Sequence, residues 1–361
     1  MRALALVTDG FGGQGGIARY NEAFLRALVR LDHVEEVVIV PRFGDAPAAD
    51  LPARLRQLPA TSSKAAYVAR LCGISARRLR FDLLFCGHIN MAVPAAALAH
   101  LLRCPWWLQI HGVDAWDPPG RLVRTAVARA DLVTSVSRYT RRRFLAWADL
   151  EPHKVRVLPN TVERRFTPGP KPAHLLRRYG LTGKRVLLSV GRISARERYK
   201  GHDRVIAAMP RLRARFADLV YVVAGDGDDR PRLEALAREV DVADSVLFLG
   251  EVPDEELVDH YRMADIFVMP STGEGFGIVF LEAMACGVPA IGGNVDGSID
   301  PLSGTSAGQA MPLEQIADCI AEILENPSQE GDSRTLAARF GLEPFAAQVA
   351  DMATLLMSTG R

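Results

Sequence analysis

Cysteine is scarce and unpatterned in this chain. The five residues, at 72, 86, 104, 286 and 319, form no C-x-x-C pair and no zinc spacing, which points to reduced thiols rather than a disulfide framework or a zinc site. Long apolar runs are missing as well. The richest stretch, 92–102, is interrupted by Pro94 and His100 and falls short of the ~20 residues that a membrane span needs. Aromatics make up only 7% of residues and nowhere alternate with basic ones as base stacking requires, so no nucleic-acid partner is expected. The opening residues, Met1-Arg2-Ala3-Leu4-Ala5-Leu6-Val7, run straight into a glycine loop and read as a first strand rather than a signal peptide. Net charge is small too, at +2.

That small net charge hides an asymmetry. Residues 1–165 carry 24 Lys+Arg against 14 Asp+Glu, or +10, and residues 166–361 carry 20 against 28, or −8. A basic first half suits an anionic surface such as lipid. The expectation is a cytoplasmic protein, peripheral at the inner face of the membrane. A length of 361 residues with 48% apolar content fits two ordinary domains with full cores.

Strand and helix patterns alternate through the chain. Strands are predicted at 2–7, 36–40, 82–86, 106–110, 132–136 and 155–158, with helices at 17–31, 63–79, 95–102, 122–129 and 138–148. Residues 44–63 read as loop, and Ser137 reads as an N-cap. The four prolines at 159, 168, 170 and 172 mark a linker. Alternation then restarts, with strands at 186–190, 220–224, 246–249, 266–269 and 288–291. The helices of this half are expected at 203–216, 231–239, 254–264 with Asp254 as N-cap, 279–286, 313–324 and 345–357. The fold class is therefore α/β, two tandem doubly wound Rossmann-like domains: 1–165, 166–340, and a helix in 341–361 packing back on the first.

The most informative stretch is 271–289, Ser-Thr-Gly-Glu-Gly-Phe-Gly-Ile-Val-Phe-Leu-Glu-Ala-Met-Ala-Cys-Gly-Val-Pro. Glu274 lies in a glycine-rich turn and Glu282 one turn into the helix that follows. A glycine turn entering a helix leaves backbone N–H groups available to phosphate, and carboxylates suit hydroxyls. A molecule that carries both is a nucleotide sugar. A second glycine loop, at 10–16, follows the first strand but is not a clean dinucleotide fingerprint.

The motif Glu274-Gly275-Phe276-Gly277-Ile278-Val279 through Glu282 resembles the E-x7-E element of the retaining GT-B glycosyltransferases of family 4 (group 1 type). Gly191-Arg192, Lys200-Gly201, Ala224-Gly225-Asp226-Gly227 and the Gly15-Gly16-Ile17-Ala18-Arg19-Tyr20 loop extend the resemblance over nearly the whole chain. It implies two domains facing across a cleft and transfer of a mannose- or glucose-type hexose from a GDP- or UDP-linked donor to a glycan or polyprenyl-diphosphate-linked acceptor. It further implies that Glu274 contacts donor-sugar hydroxyls and Glu282 the ribose. The amides of Gly275, Phe276, Gly277, Ile278 and Val279 would hold sugar and phosphate. Arg192 and Lys200 would neutralise the departing diphosphate, Gly15 and Gly16 would close over it, and Gly250 and Val252 would lie by the base. His111 matches the family histidine near the reacting carbon. Neither glutamate would be a nucleophile, and no metal or cofactor beyond the donor is expected.

The chain departs from the family pattern twice. Asp296 stands where the family has Glu, and the segment 301–312 lacks the usual Asp-Gly-x-x-Gly turn, which predicts an altered edge of the second sheet. An epimerase, a phosphorylase or a non-catalytic nucleotide-sugar-binding subunit remains open from sequence. A nicotinamide dehydrogenase is the weakest reading, because the first glycine loop lacks its partner acid.

Overall fold

The computed structural model describes residues 1–13, 15–44, 51–76, 80–327 and 333–359. Its chain divides into two units, 1–161 with 342–361, and 162–341. Among the described residues, unit 1 holds β1 (Arg2–Asp9), β2 (Glu36–Phe43), β3 (Leu55–Gln57), β4 (Leu83–Cys86), β5 (Trp106–Ile110), β6 (Leu132–Ser135) and β7 (Val155–Val157). They form one parallel sheet in the order β3-β2-β1-β4-β5-β6-β7. Unit 2 holds β8 (Arg185–Val190), β9 (Leu219–Ala224), β10 (Val246–Gly250), β11 (Ile266–Met269), β12 (Ala290–Gly293) and β13 (Gly308–Met311). These are parallel in the order β10-β9-β8-β11-β12-β13.

Helices on both faces explain the continuous apolar strands. Ala3 to Val7 are fully buried in succession, as are Leu83 to Cys86. In each sheet the strand order reverses once, between β1 and β4 and between β8 and β11. The loops that leave the carboxyl ends of those neighbours lie where doubly wound sheets bind ligands.

The structure corrects several local expectations. Leu55–Gln57, within the stretch read as loop, is an edge strand; it is too short to show periodicity and buries only Leu55. Asp254 is not an N-cap. It opens a short 3-10 turn, Asp254–Glu256, ahead of the helix Leu257–Arg262, and its carboxylate pairs with Arg165 at 2.7 Å. The segment 301–312 contains β13, which pairs in parallel with β12 and forms the edge of the sheet. The helices Ala173–Arg178 and Ser333–Phe340 were not read; the first has six residues, too few for a clear period, and Gly341 separates the second from Leu342–Thr359. Ser137 does cap its helix, accepting from Thr140 N–H at 3.1 Å. Residues 77–79 of the basic helix, 45–50 of the loop and Gln14 lie outside the described residues.

A buried polar chain fixes the helix Gly16–Val29 to the unit 1 sheet. Tyr20 Oη and Thr134 Oγ1 both donate to Gln109 Oε1, at 2.6 and 2.5 Å, and Trp107 Nε1 donates to Thr134 Oγ1 at 2.6 Å. The same helix packs against Leu342–Thr359, through Tyr20 against Phe345 at 5.8 Å and, at its C-cap, Arg30 with Glu343 at 3.1 Å. Gln109→Leu leaves two buried hydroxyl donors without an acceptor and is expected to cost about 2–4 kcal/mol. Calorimetric unfolding should show the lowered Tm; an unchanged Tm would refute the network's role.

Candidate active site

At the reversal point of unit 2, the loop after β8 runs from Gly191 to Gly201 and meets the loop after β11. Thr272 N–H donates to the Tyr199 carbonyl at 2.8 Å, which ties the two together. The Tyr199 ring lies so close over Gly273 that a Cβ there would sit 2.6 Å from it. Arg192 and Lys200 are eight positions apart in the chain, yet the turn Arg198–Lys200 folds Lys200 back. Lys200 Nζ donates to Glu197 Oε2 at 2.7 Å, and Arg192 Nη2 donates to Glu197 Oε1. Sequence reasoning passed over Glu197; its signal was an acid three residues before the lysine and five after the arginine.

The 191–200 loop is itself clamped from below. Ala195 N–H donates to Asp228 Oδ1 at 2.8 Å, and Ile193 N–H donates to the Asp226 carbonyl at 2.9 Å. Asp229, nearly buried, takes Arg198 and Arg232. The acids of Asp226-Gly227-Asp228-Asp229 thus hold loop backbone and arginines.

Glu274 owes its place to Asp296. The fully buried Asp296 carboxylate accepts from Glu274 N–H at 2.7 Å and Ser271 Oγ at 2.8 Å on one oxygen. Its other oxygen accepts from Ser298 N–H at 2.9 Å and Ser298 Oγ at 2.6 Å. Gly297 N–H then donates to the Glu274 carbonyl at 2.8 Å, and a Cβ on Gly297 would fall 2.0 Å from the Gly275 carbonyl oxygen, so only glycine fits. Both main-chain polar groups of Glu274 are therefore fixed.

The Glu274 side chain is half-buried, and no hydrogen bond among the described residues is made by its carboxylate. Burial pushes its pKa up to about 7, against the pull of the Lys200 ammonium and with help from the nearby Asp296 and Glu197 charges. The carboxyl can thus donate or accept near neutrality. Past it, the helix Ile278–Ala285 starts at Gly277, whose φ of 82° is left-handed, and no side chain caps it. Gly275 to Val279 form this approach; the Phe276 side chain is buried.

Glu282, one helical turn on, is buried and accepts from Tyr261 Oη at 2.6 Å. Gly250 ends β10 and Val252 follows it, two strands from β8 in the sheet, and Gly225 N–H donates to the Gly250 carbonyl at 2.8 Å. The structure therefore gathers Arg192, Lys200, Glu274 and residues 275–279 at one reversal point, and sets Gly250 and Val252 apart from them.

Gly15, Gly16 and His111 belong to unit 1. Gly15 precedes the helix Gly16–Val29 in left-handed geometry, φ 87°, with open space where a Cβ would go on either glycine. His111 follows β5. Its Nε2 donates to the Gly87 carbonyl at 2.9 Å, which leaves the lone pair on Nδ1, and the edge of Tyr20 packs on its ring at 5.1 Å. Burial lowers its pKa to about 4 despite the Asp114 charge, so the ring is neutral at physiological pH. His88 accepts from Asn90 N–H at 3.1 Å, and its Nε2 stands 3.8 Å from Asp114.

Comparison with solved structures shows the class first. Over 98% of this chain and 100% of the other, the structure superposes on Anabaena Alr3699/HepE in complex with UDP, with a TM-score of 0.78 at 19% identity. Sucrose-phosphate synthase of Thermosynechococcus elongatus matches with a TM-score of 0.76 at 21% identity, over 99% and 100% of the two chains. The fold is GT-B, two Rossmann-like parallel-sheet domains.

The sequence comparisons are narrower. The family described as "Glycosyl transferases group 1" matches residues 176–338, and "Glycosyltransferase Family 4" matches 14–166. The chain is 32% identical over 354 residues to the GDP-mannose-dependent alpha-(1-6)-phosphatidylinositol monomannoside mannosyltransferase of Mycolicibacterium smegmatis, covering 90% of each. It is 33% identical over 266 residues to the D-inositol 3-phosphate glycosyltransferase of Geodermatophilus obscurus, covering 70% of this chain and 59% of that protein. This chain belongs to the group 1 glycosyltransferases of family 4 and is an enzyme of glycosyl transfer from a nucleotide sugar.

Titration of the Glu274 carboxyl by carbon-13 NMR, assigned with Glu274→Gln, is expected to show a midpoint near 7. Asp296→Asn removes a like charge, so the midpoint should move down. A midpoint in the ordinary carboxylate range in the parent protein would refute the desolvated setting.

Proposed function

We propose that the chain transfers a hexose, with retention of configuration, from a nucleoside diphosphate sugar to a lipid-linked or glycan acceptor. The observation that carries this is the joint placement of Glu274, Lys200 and Arg192 at the reversal point of unit 2. Leaving-group departure builds negative charge on a diphosphate, and two cations beside an uncapped helix N-terminus stabilise it electrostatically. Glu274, held by both its main-chain groups, is set to bind hydroxyls of the sugar. Gly15, Gly16, Gly250, Val252 and Glu282 take the remaining donor contacts, and His111, neutral with a free Nδ1 lone pair, takes a sugar hydroxyl.

In this reading the leaving phosphate itself removes the proton from the attacking acceptor hydroxyl. The new glycosidic bond forms on the face from which the phosphate departs, and neither glutamate becomes covalently attached. The donor is the only small molecule required. Mannose on GDP is the first donor to test, because the relative covering 90% of the chain is named GDP-mannose-dependent. That relative's name also favours a phosphoinositide-type lipid among the acceptors. The +10 charge of residues 1–165 supports docking on an anionic bilayer. Part of the basic helix Arg138–Leu145 is occupied internally, since Arg141 donates to the Val155 and Pro152 carbonyls at 2.6 and 2.8 Å.

Thermal shift with GDP, UDP and their hexose conjugates should identify the base, and transfer to phosphatidylinositol and polyprenyl-diphosphate acceptors the second substrate. Glu274→Ala is expected to abolish transfer while nucleoside diphosphate binding stays within about threefold of the parent. Transfer at the parent rate by Glu274→Ala would overturn the reading. Liposome association should weaken as salt rises; a protein that binds no anionic vesicle at low salt has no such docking surface.

A further inference from the structure

We propose that Glu197 is a positioning residue that also competes with the donor diphosphate for Arg192 and Lys200. The inference rests on the reading of those two residues as the diphosphate-holding cations. Glu197 spans them with separate oxygens: Oε2 to Lys200 Nζ at 2.7 Å, and Oε1 to the Arg192 guanidinium. The carboxylate is 17% exposed and the Lys200 side chain 12%, so this half of the pair is only partly screened by water. The Arg192 side chain is 78% exposed and is drawn to the same point from solvent.

Backbone geometry keeps the acid there. Glu197 N–H donates to the Ser194 carbonyl at 2.8 Å, and Lys200 N–H donates to the Glu197 carbonyl at 3.0 Å, so acid and lysine share one turn. Lys200 Nζ also lies 3.4 Å from the Arg192 carbonyl oxygen, tucked beneath the backbone that carries the arginine. A carboxylate offering two oxygens to two cations presents what a phosphate would present, with less charge. It holds the cations at one point, and a diphosphate must then take at least one of them from it. The acid therefore preorganises the cations while reducing their grip on diphosphate, which favours release of the nucleoside diphosphate product.

Isothermal titration of the full chain with GDP and UDP, and with guanosine and uridine, tests this. Glu197→Gln keeps the shape and removes the charge, and should bind the diphosphate of the preferred base about three- to tenfold more tightly. Nucleoside binding should not change, and Glu197→Asp, which keeps the charge, should stay near the parent. A thermal melt confirms that each variant is folded. If the parent gains affinity from the diphosphate but Glu197→Gln gains no more, the competition is refuted and the reading of the cations stands. If the parent binds nucleoside and nucleoside diphosphate equally, both fall.

Discussion

The donor-side geometry depends on one buried carboxylate. Asp296 is fully enclosed, and its two oxygens accept four hydrogen bonds from Ser271, Glu274 and Ser298. A buried charge is tolerated only when it is this well solvated by protein dipoles. In return it joins the turn after β11 to the turn after β12, two segments more than twenty residues apart in sequence. Glu274 cannot shift along its turn without breaking that set. The functional acid is thus placed by a second acid that never needs to touch a ligand, and the mutual repulsion of the two helps set the chemistry of the first.

The same economy of charge recurs at the loop after β8. Asp228 and Asp229 hold its backbone and Arg198, and Glu197 gathers Arg192 and Lys200. The second half of the chain carries 28 acidic residues against 20 basic ones. Several of those acids are internal wiring of the loops at the carboxyl ends of β8, β9 and β12, where irregular backbone needs acceptors that no helix or sheet supplies.

The doubly wound pair of sheets was legible in the sequence because buried parallel strands are uninterrupted apolar runs, as in Ala3 to Val7 and Ile266 to Met269. What escaped was short or irregular. Leu55–Gln57 buries a single side chain, and Ala173–Arg178 is too brief to show a period. At the site, the turn bearing Glu274 and the helix after it could be read from glycine spacing. The partners could not. Asp296 drew notice only as a substitution in a motif, and its hydrogen bonds depend on β11 and β12 being neighbours, a fact of topology. Glu197 belongs to none of the motifs, and it meets Arg192 and Lys200 only because the turn Arg198–Lys200 closes a gap that linear distance exaggerates. Tyr261 meets Glu282 across twenty-one positions, which no local pattern announces.

The helix Leu342–Thr359 belongs to unit 1, whose other residues end at 161, so unit 2 is threaded between the pieces of its companion. Synthesis from the amino terminus therefore finishes the units in the reverse of their order of appearance. All of unit 2 has been made before the helix Gly16–Val29 receives its last neighbour. Until then the Tyr20 face that Phe345 covers lacks that partner, and the unit begun first is the last to be completed. A stall or premature stop downstream of residue 341 would strike the oldest part of the nascent protein and leave the younger unit whole.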